Sequence, residues 1–283
     1  METLSLRQRF LRDMQLKGFA DDTQQNYLGH IIRYVKYYMK KPEELNEQHI
    51  KEYLHSLVKE GKRTSSINQS YSALRFLYET TLKTDWESFK IPRSKKRKKL
   101  PVALGRDEIS MLLKSVDKLK YKAMFELMYC GGLRVSEVVE LKATDINSKD
   151  MTIFVEDGKG GKDRYTVLSH KALETLKSYY QLNGYLKKCK WLFPGSDINK
   201  PISTRSIQKK FSDLKKILSL NPKSTVHSIR HGFATHMLEA GVDVYHLQKL
   251  MGHSSVQTTT IYIHISSVKA VNVISPHDTL PEY

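Results

Sequence analysis

Apolar residues recur along the first third of this chain at helical spacing. Tyr27, Ile31, Val35 and Tyr38 share one helical face, as do Ile50, Tyr53, Leu54, Leu57 and Val58, and Ile67, Tyr71, Leu74 and Tyr78. A shorter amphipathic stretch runs from Leu6 to Met14. Gly18, Pro42 and Gly61 supply stops between these stretches. Asp21, Asn46 and Thr64 or Ser65 supply starts, because their side-chain oxygens accept the free N–H groups of a first turn. Residues 1–92 therefore predict four helices joined by short loops, with the tyrosines serving as core rather than as a base-stacking platform. The polar side of the fourth helix carries Lys62, Arg63, Asn68, Gln69 and Arg75, a candidate reader of a groove or backbone. An ordinary solvated face is the simpler account of it.

The pattern changes after Pro92. Arg93, Lys95, Lys96, Arg97, Lys98 and Lys99 crowd into seven positions before Pro101, and like charges at that density repel rather than pack. Residues 93–101 read as a linker whose charge suits a phosphate backbone. Helical spacing resumes with Ile109, Leu112, Leu113 and Val116, then Met124, Leu127 and Met128. Gly131 and Gly132 end that helix and Val135, Val138 and Val139 start another, which places Arg134 at a helix start, where free N–H groups favour an anion. Residues 151–156 and 164–168 are rich in β-branched positions and flank D-G-K-G-G-K. That predicts a hairpin with a lysine tip, in which Lys159 lies between glycines. Helices over 171–180 and 204–218 flank a buried connector at Trp191, Leu192, Phe193 and Pro194. The tail over 266–283 reads as weakly helical from Val268 to Ile274, then broken by Pro276 and Pro281.

Charge narrows the partner. Lys and Arg number 47 against 30 Asp and Glu, a formal net charge of +17 over 283 residues. Such an excess suits a polyanion, since neutralising phosphates releases condensed counterions. The basic residues spread through both halves and collect on no amphipathic helix, which favours nucleic acid over a membrane surface. Hydrophobic content of 40% is enough for two cores. No apolar run reaches the roughly 18 residues of a membrane span, and the first residues lack the apolar block of a signal peptide. Cys130 and Cys189 form no disulfide framework and match no zinc spacing. The expectation is a soluble, cytoplasmic, two-domain protein.

The chemistry concentrates between Val226 and Tyr262. His227, Arg230 and His231 fall at i, i+3 and i+4, so one helical face can carry all three. A zinc-hydrolase reading fails because H-E-x-x-H needs a glutamate where this chain has Ser228. A nucleotide loop fails too, because G-x-x-x-x-G-K-[ST] is absent. Phosphoryl transfer without metal needs cations at the nonbridging oxygens, a proton for the leaving oxygen and a hydroxyl to attack. Arg134 and Arg230 supply the first. Of 16 tyrosines nothing intrinsic singles out Tyr262, but its neighbourhood does.

G-L-R-V-S-E, G-K-G-G-K-D-R, L-F-P, H-S-I-R-H-G-F-A-T-H, L-M-G-H-S-S and T-T-I-Y-I-H together resemble the box motifs of the tyrosine recombinases, the phage-integrase family, in family order and spacing. The resemblance covers nearly the whole chain. It implies a mainly α fold with a small antiparallel β-sheet: a four-helix, SAM-like DNA-binding bundle over 1–92, the basic linker 93–101 and a catalytic domain over 102–265. The resemblance implies a tail over 266–283 that packs on a neighbouring protomer, where its residues alone leave fraying as the alternative.

By resemblance Arg134 matches the first catalytic arginine, with Glu137 supporting it. Lys159 matches the lysine that protonates the leaving 5′-hydroxyl, and His227 and Arg230 the H-x-x-R box. His253 matches a position held by histidine or tryptophan, and Tyr262 the nucleophile. The implied reaction is site-specific cutting and rejoining of double-stranded DNA through a 3′-phosphotyrosyl link and a Holliday junction, by a synaptic tetramer, with no metal or other cofactor. A chain this compact suits an Xer-like or transposon cointegrate-resolving enzyme better than a phage-type integrase with an extra arm-binding domain. Rival readings are a sequence-specific DNA-binding protein without catalysis and a metal-free topoisomerase. The need for an accessory DNA-bending or directionality protein stays open.

Overall fold

The computed structural model describes residues 4–93, 100–158, 162–253 and 255–263. The chain separates into two compact units, Met1–Lys98 and Lys99–Tyr283. Lys159, the basic run over 94–99 and the tail over 266–283 lie outside the described residues.

In the first unit α1 (Leu6–Leu16), α2 (Asp21–Tyr38), α3 (Glu47–Lys59) and α4 (Thr64–Phe76) are the four expected helices. Ser5 and Asn46 start α1 and α3 through reciprocal caps closed by Gln8 and His49. α2 starts differently from expectation: Ala20 offers no capping side chain, and Asp21 and Asp22 instead lie in the first turn, where the helix dipole favours negative charge. Phe10, Met14, Tyr34, Ile50, Leu74 and Leu77 fill the core. The tyrosines do serve as core. The hydroxyls of Tyr34 and Tyr78 lie 3.2 Å apart, and Tyr78 donates to the Pro42 carbonyl at 2.9 Å, so burial leaves neither without a partner. The candidate polar face on α4 does not hold together. Asn68 is buried, and Arg75 is held by Glu79 at 2.9 Å and Glu87 at 3.0 Å.

The second unit begins with α5 (Arg106–Lys114), α6 (Leu119–Cys130) and α7 (Val135–Val139). A three-stranded antiparallel sheet follows, β1 (Ile146–Asn147), β2 (Thr152–Gly158) and β3 (Lys162–Val167), in the order β1-β2-β3. Ile146 pairs with Ile153, and Val155 with Arg164. The hairpin was expected; β1, only two residues long, was not. The remaining helices are α8 (His170–Leu182), α9 (Thr204–Ile217), α10 (His227–Glu239), α11 (Val244–Met251) and the short α12 (Val256–Thr259). One 3-10 turn, Thr260–Tyr262, comes after α12.

Leu112, Met124, Phe125, Phe193 and Phe211 are fully buried in the main core. Phe233, Ala234, Leu247, Met251 and Tyr262 form a smaller cluster that locks α10, α11 and the last turn together. This cluster positions the chemistry. Among the described residues no helix is long and apolar enough to cross a membrane.

Candidate active site

The site is assembled around the C-terminal end of α11. Asp243 starts this helix by accepting the N–H of Tyr245 at 2.7 Å, and Gly252 ends it in the left-handed conformation, φ +61°. The last carbonyls of a helix lack partners within it and carry its negative dipole end. Here three successive ones each receive a different arginine. Arg164 Nε donates to Leu250 O at 2.8 Å, Arg230 Nη2 to Met251 O at 2.7 Å, and Arg134 Nη2 to Gly252 O at 3.2 Å.

Each arginine arrives by its own local logic. Arg134 is the extended residue that starts α7. Arg164 lies on β3, where alternation turns it and Thr166 inward and leaves Tyr165 and Val167 exposed. Arg230 lies on the buried side of α10 and also donates to the Gly132 carbonyl at 2.5 Å.

Glu137 ties the three together. Its Oε1 accepts from Arg134 Nη1 at 2.5 Å and Arg164 Nη1 at 2.9 Å, and its Oε2 from Arg164 Nη2 at 2.8 Å. Arg230 Nη1 stands 3.7 Å from Oε2. Burial opposes a charge on Glu137, but the hydrogen bonds and charge of Arg164, joined by Arg134, prevail and hold the carboxyl at about 2. Oε2 also accepts the Arg134 backbone N–H at 2.8 Å. The helix start at Arg134, expected to turn that N–H toward an anion, therefore spends it on Glu137. The guanidiniums are the donors left facing any anion. Burial, then the neighbouring Arg134, lowers Arg230 to about 9, which still leaves it protonated at neutral pH. One carboxylate against three guanidiniums leaves an excess of two positive charges, a field suited to a phosphodiester.

Burial and the arginine charges disfavour protonation of the imidazoles around this cluster. His253 Nε2 lies 3.1 Å from Arg230 Nη2, and its Nδ1 lies 2.8 Å from Thr259 Oγ1. A guanidinium only donates, so Nε2 accepts and Nδ1 carries the proton toward Thr259. Burial, then the charges of Arg230, Arg134 and Arg164, pushes His253 down to about 3. His227 keeps solvent contact at the start of α10, yet the protein packed around part of its ring, then the charges of Arg230 and Arg134, lower its pKa. His231 meets the tyrosine directly, with Nδ1 2.9 Å from Tyr262 Oη. Burial, then His227 and Arg230, pushes it down to about 4.

Tyr262 is 4% exposed and lies parallel to the His253 ring, 6.3 Å between centroids. Burial raises its pKa while Arg230 and Arg134 pull against that rise, and burial wins. The phenol keeps its proton at neutral pH.

The structure thus brings Arg134, Arg230, His253 and Tyr262, with Glu137, into one cluster, and puts His227 at its edge. Lys159 belongs to the hairpin tip outside the described residues. Sequence reasoning gave no site role to Arg164 or Thr259. Arg164 carried a readable signal: a charged residue at an inward position of a strand needs a buried partner.

Residues 103–268 match the phage integrase family, and residues 6–88 match the phage integrase N-terminal SAM-like domain. An integrase/recombinase of Sinorhizobium fredii, y4qK, is 40% identical over 98% of this chain and 89% of its own length. Tyrosine recombinase XerD of Halalkalibacterium halodurans is 31% identical over 96% of this chain and 97% of its own. Among solved structures, XerA recombinase aligns over 94% of both chains with a TM-score of 0.55 at 28% identity. XerH bound to difH substrate aligns over 93% of this chain and 82% of its own, with a TM-score of 0.73 at 21% identity. On these matches the chain belongs to the phage integrase family of tyrosine recombinases.

Proposed function

We propose that this chain is a site-specific DNA recombinase that cuts and rejoins double-stranded DNA with Tyr262 as nucleophile. The observation that carries this reading is the juxtaposition at α11. A buried phenol lies beside a cluster of three guanidiniums that outnumber their one carboxylate. Arg134 and Arg230 would hold the nonbridging oxygens of the scissile phosphate, with His227 beside them, and His253 would join in its other tautomer, Nε2 protonated, once the phosphate takes over the Arg230 donor. Arg164 and Glu137 would fix the arginines in place. Tyr262 Oη would attack phosphorus to form a 3′-phosphotyrosyl bond, and Lys159 would protonate the departing 5′-oxygen. The freed 5′-hydroxyl of a partner strand would reverse the step, and two such rounds would pass through a Holliday junction.

The wider assembly follows the same reading. Residues 1–92 would bind one side of the duplex, the linker 93–101 would run along its backbone, and residues 266–283 would pack on a neighbour in a tetramer on two sites. Support comes from the +17 charge and from XerH, solved on its difH substrate with the same fold. The work done on DNA in the cytoplasm would be dimer resolution, transposon cointegrate resolution or integration.

Covalent trapping tests the reading. Duplexes enriched by the protein from a random pool supply the site, and a nick beside the scissile phosphate lets the 5′-hydroxyl fragment diffuse away. A protein–DNA adduct that disappears in Tyr262→Phe supports the proposal. Specific binding without any adduct would leave a DNA-binding protein without catalysis. Relaxation of supercoils irrespective of site would favour a topoisomerase.

A further inference from the structure

Attack by Tyr262 requires its phenolic proton to go somewhere, and one imidazole touches that hydroxyl. His231 Nδ1 lies 2.9 Å from Tyr262 Oη, inside the range for direct proton transfer. The two rings sit 5.6 Å apart at 43°, held by the packing of α10 against the last turn. The other imidazoles are placed differently. His253 has Nε2 against Arg230 and Nδ1 against Thr259, and it meets Tyr262 face to ring face. His227 is exposed at the beginning of α10 and is not hydrogen-bonded to the phenol among the described residues.

We infer that His231 is the general base of the cleavage step, and that it returns the same proton to Tyr262 when the strand is rejoined. The inference rests on Tyr262 being the nucleophile. As Oη bonds to phosphorus, the P–O5′ bond breaks, the phenolic proton passes to His231 Nδ1, and Lys159 protonates the 5′-oxygen. The products are a phosphotyrosyl diester, a 5′-hydroxyl, an imidazolium and a neutral lysine. In the rejoining step every transfer runs backward.

The neighbours of His231 decide when it can accept. His227 and Arg230 face it from its own helix, His253 from the end of α11 and Tyr262 from the last turn. Burial and the first two disfavour a second proton on the ring, and in the tautomer protonated at Nε2 the Nδ1 lone pair faces the phenol. A phosphodiester bound against Arg230 brings a negative charge that offsets the guanidinium, which strengthens His231 as a base when the substrate is in place. Proton uptake is thereby linked to substrate binding.

The test uses full-length protein and a nicked suicide duplex built on the sequence that wild type enriches from a random pool. Single-turnover adduct formation is followed from about pH 6 to pH 10 for His231→Asn, His231→Ala and Tyr262→Phe. Asparagine can place its amide oxygen near the position of Nδ1 and hold the phenol, but it cannot take a proton. The inference expects both His231 variants to bind the duplex as wild type does and to cleave on the order of 100-fold or more slower near neutral pH. Their rates should climb about tenfold per pH unit as the phenolate fraction grows. Added imidazole should accelerate His231→Ala. Wild-type rates in His231→Asn, with only His231→Ala slow, would reduce His231 to a positioning residue and overturn the inference. Wild-type rates in both would overturn it too, as would loss of cleavage in proportion to loss of DNA binding. An adduct in Tyr262→Phe, or none in wild type, would instead remove the nucleophile assignment beneath it.

Discussion

Arg164 and Glu137 meet as a two-pronged ion pair, Nη1 to Oε1 at 2.9 Å and Nη2 to Oε2 at 2.8 Å, with side-chain exposures of 7% and 6%. The third donor of the same guanidinium, Nε, reaches the Leu250 carbonyl at 2.8 Å. One residue of β3 thereby ties α7 to α11. Removing one partner of a buried pair leaves the other charge inadequately compensated, so Arg164→Ala should lose about 3–5 kcal/mol of stability. Arg164→Lys keeps the charge but not the fork, and should still lose about 1–3 kcal/mol. Urea unfolding followed by circular dichroism measures both. A loss below about 1 kcal/mol in Arg164→Ala would mean that Arg134 alone satisfies Glu137.

Gly252 allows that geometry. At φ +61° a side chain is strained, and a Cβ there would lie 2.9 Å from Arg164 Cδ and 3.1 Å from its Nη1. Gly241 is a matched control in the same unit, at φ +86° with no atom within 4 Å of the added carbon. Gly241→Ala should therefore show only the backbone cost, about 1–2 kcal/mol. Gly252→Ala should exceed it, because the methyl pushes Arg164 away from Glu137. It should also lower the yield of covalent adduct, since His253 and the Arg134 contact follow directly from this turn. Equal unfolding free energies for the two variants would show that Arg164 can move aside without loss.

Fold and site differ in how far the sequence exposes them. The fold class was legible because apolar periodicity is local, and Ile50, Tyr53, Leu54 and Leu57 are buried as their spacing predicts. Even there the stripe is approximate. In α2 the buried apolar positions are Leu28, Ile31 and Tyr34, with Tyr27, Val35 and Tyr38 only partly covered, because α1 and α4 determine which side of the helix is closed. β1 was missed because two residues carry no readable alternation. Motif spacing put Arg134, Arg230, His253 and Tyr262 on the page, but the reason they converge is not local. It lies in three carbonyls at the end of α11, each reached by a different arginine, two of them from 86 and 118 residues earlier in the chain. No window of sequence contains that arrangement.

His30 makes the first unit sensitive to acid. It is 3% exposed, with Nδ1 2.7 Å from Ser70 Oγ. Burial, then the charge of Arg33, lowers it from 6.5 to about 4, against a smaller raising effect of Gln69. Above the unfolded pKa both states are neutral and the group contributes no pH dependence. Between about 6.5 and 4 the unfolded chain binds the proton and the folded chain does not, so stability falls as pH falls through that window. His231 and His253, lowered to about 4 and about 3, add the same sign in the second unit. Thermal unfolding between about pH 8 and pH 4 should show a falling midpoint below about 6.5. His30→Asn, which can keep an acceptor toward Ser70 without titrating, should make the fall shallower. An unchanged slope would assign the acid sensitivity to the other imidazoles.

Lys159 offers the last discrimination, because general acid and phosphate contact predict different substrates for its rescue. An alkoxide leaving from phosphorus needs a proton, and losing its donor should slow cleavage by roughly 10²–10⁴-fold. A phosphate contact instead contributes mainly to binding and to its salt dependence. Lys159→Ala should therefore bind the selected duplex nearly as wild type does, while forming adduct far more slowly. Replacing the bridging 5′-oxygen by sulfur creates a leaving group stable as a thiolate, which departs without a proton. On that duplex Lys159→Ala should regain most of the wild-type rate, whereas Tyr262→Phe should stay inactive, because sulfur replaces the acid and not the nucleophile. If sulfur fails to restore Lys159→Ala while wild type cleaves the same duplex normally, the lysine is a contact and the proton comes from elsewhere in the cluster. His227, exposed at its edge, is then the first group to substitute.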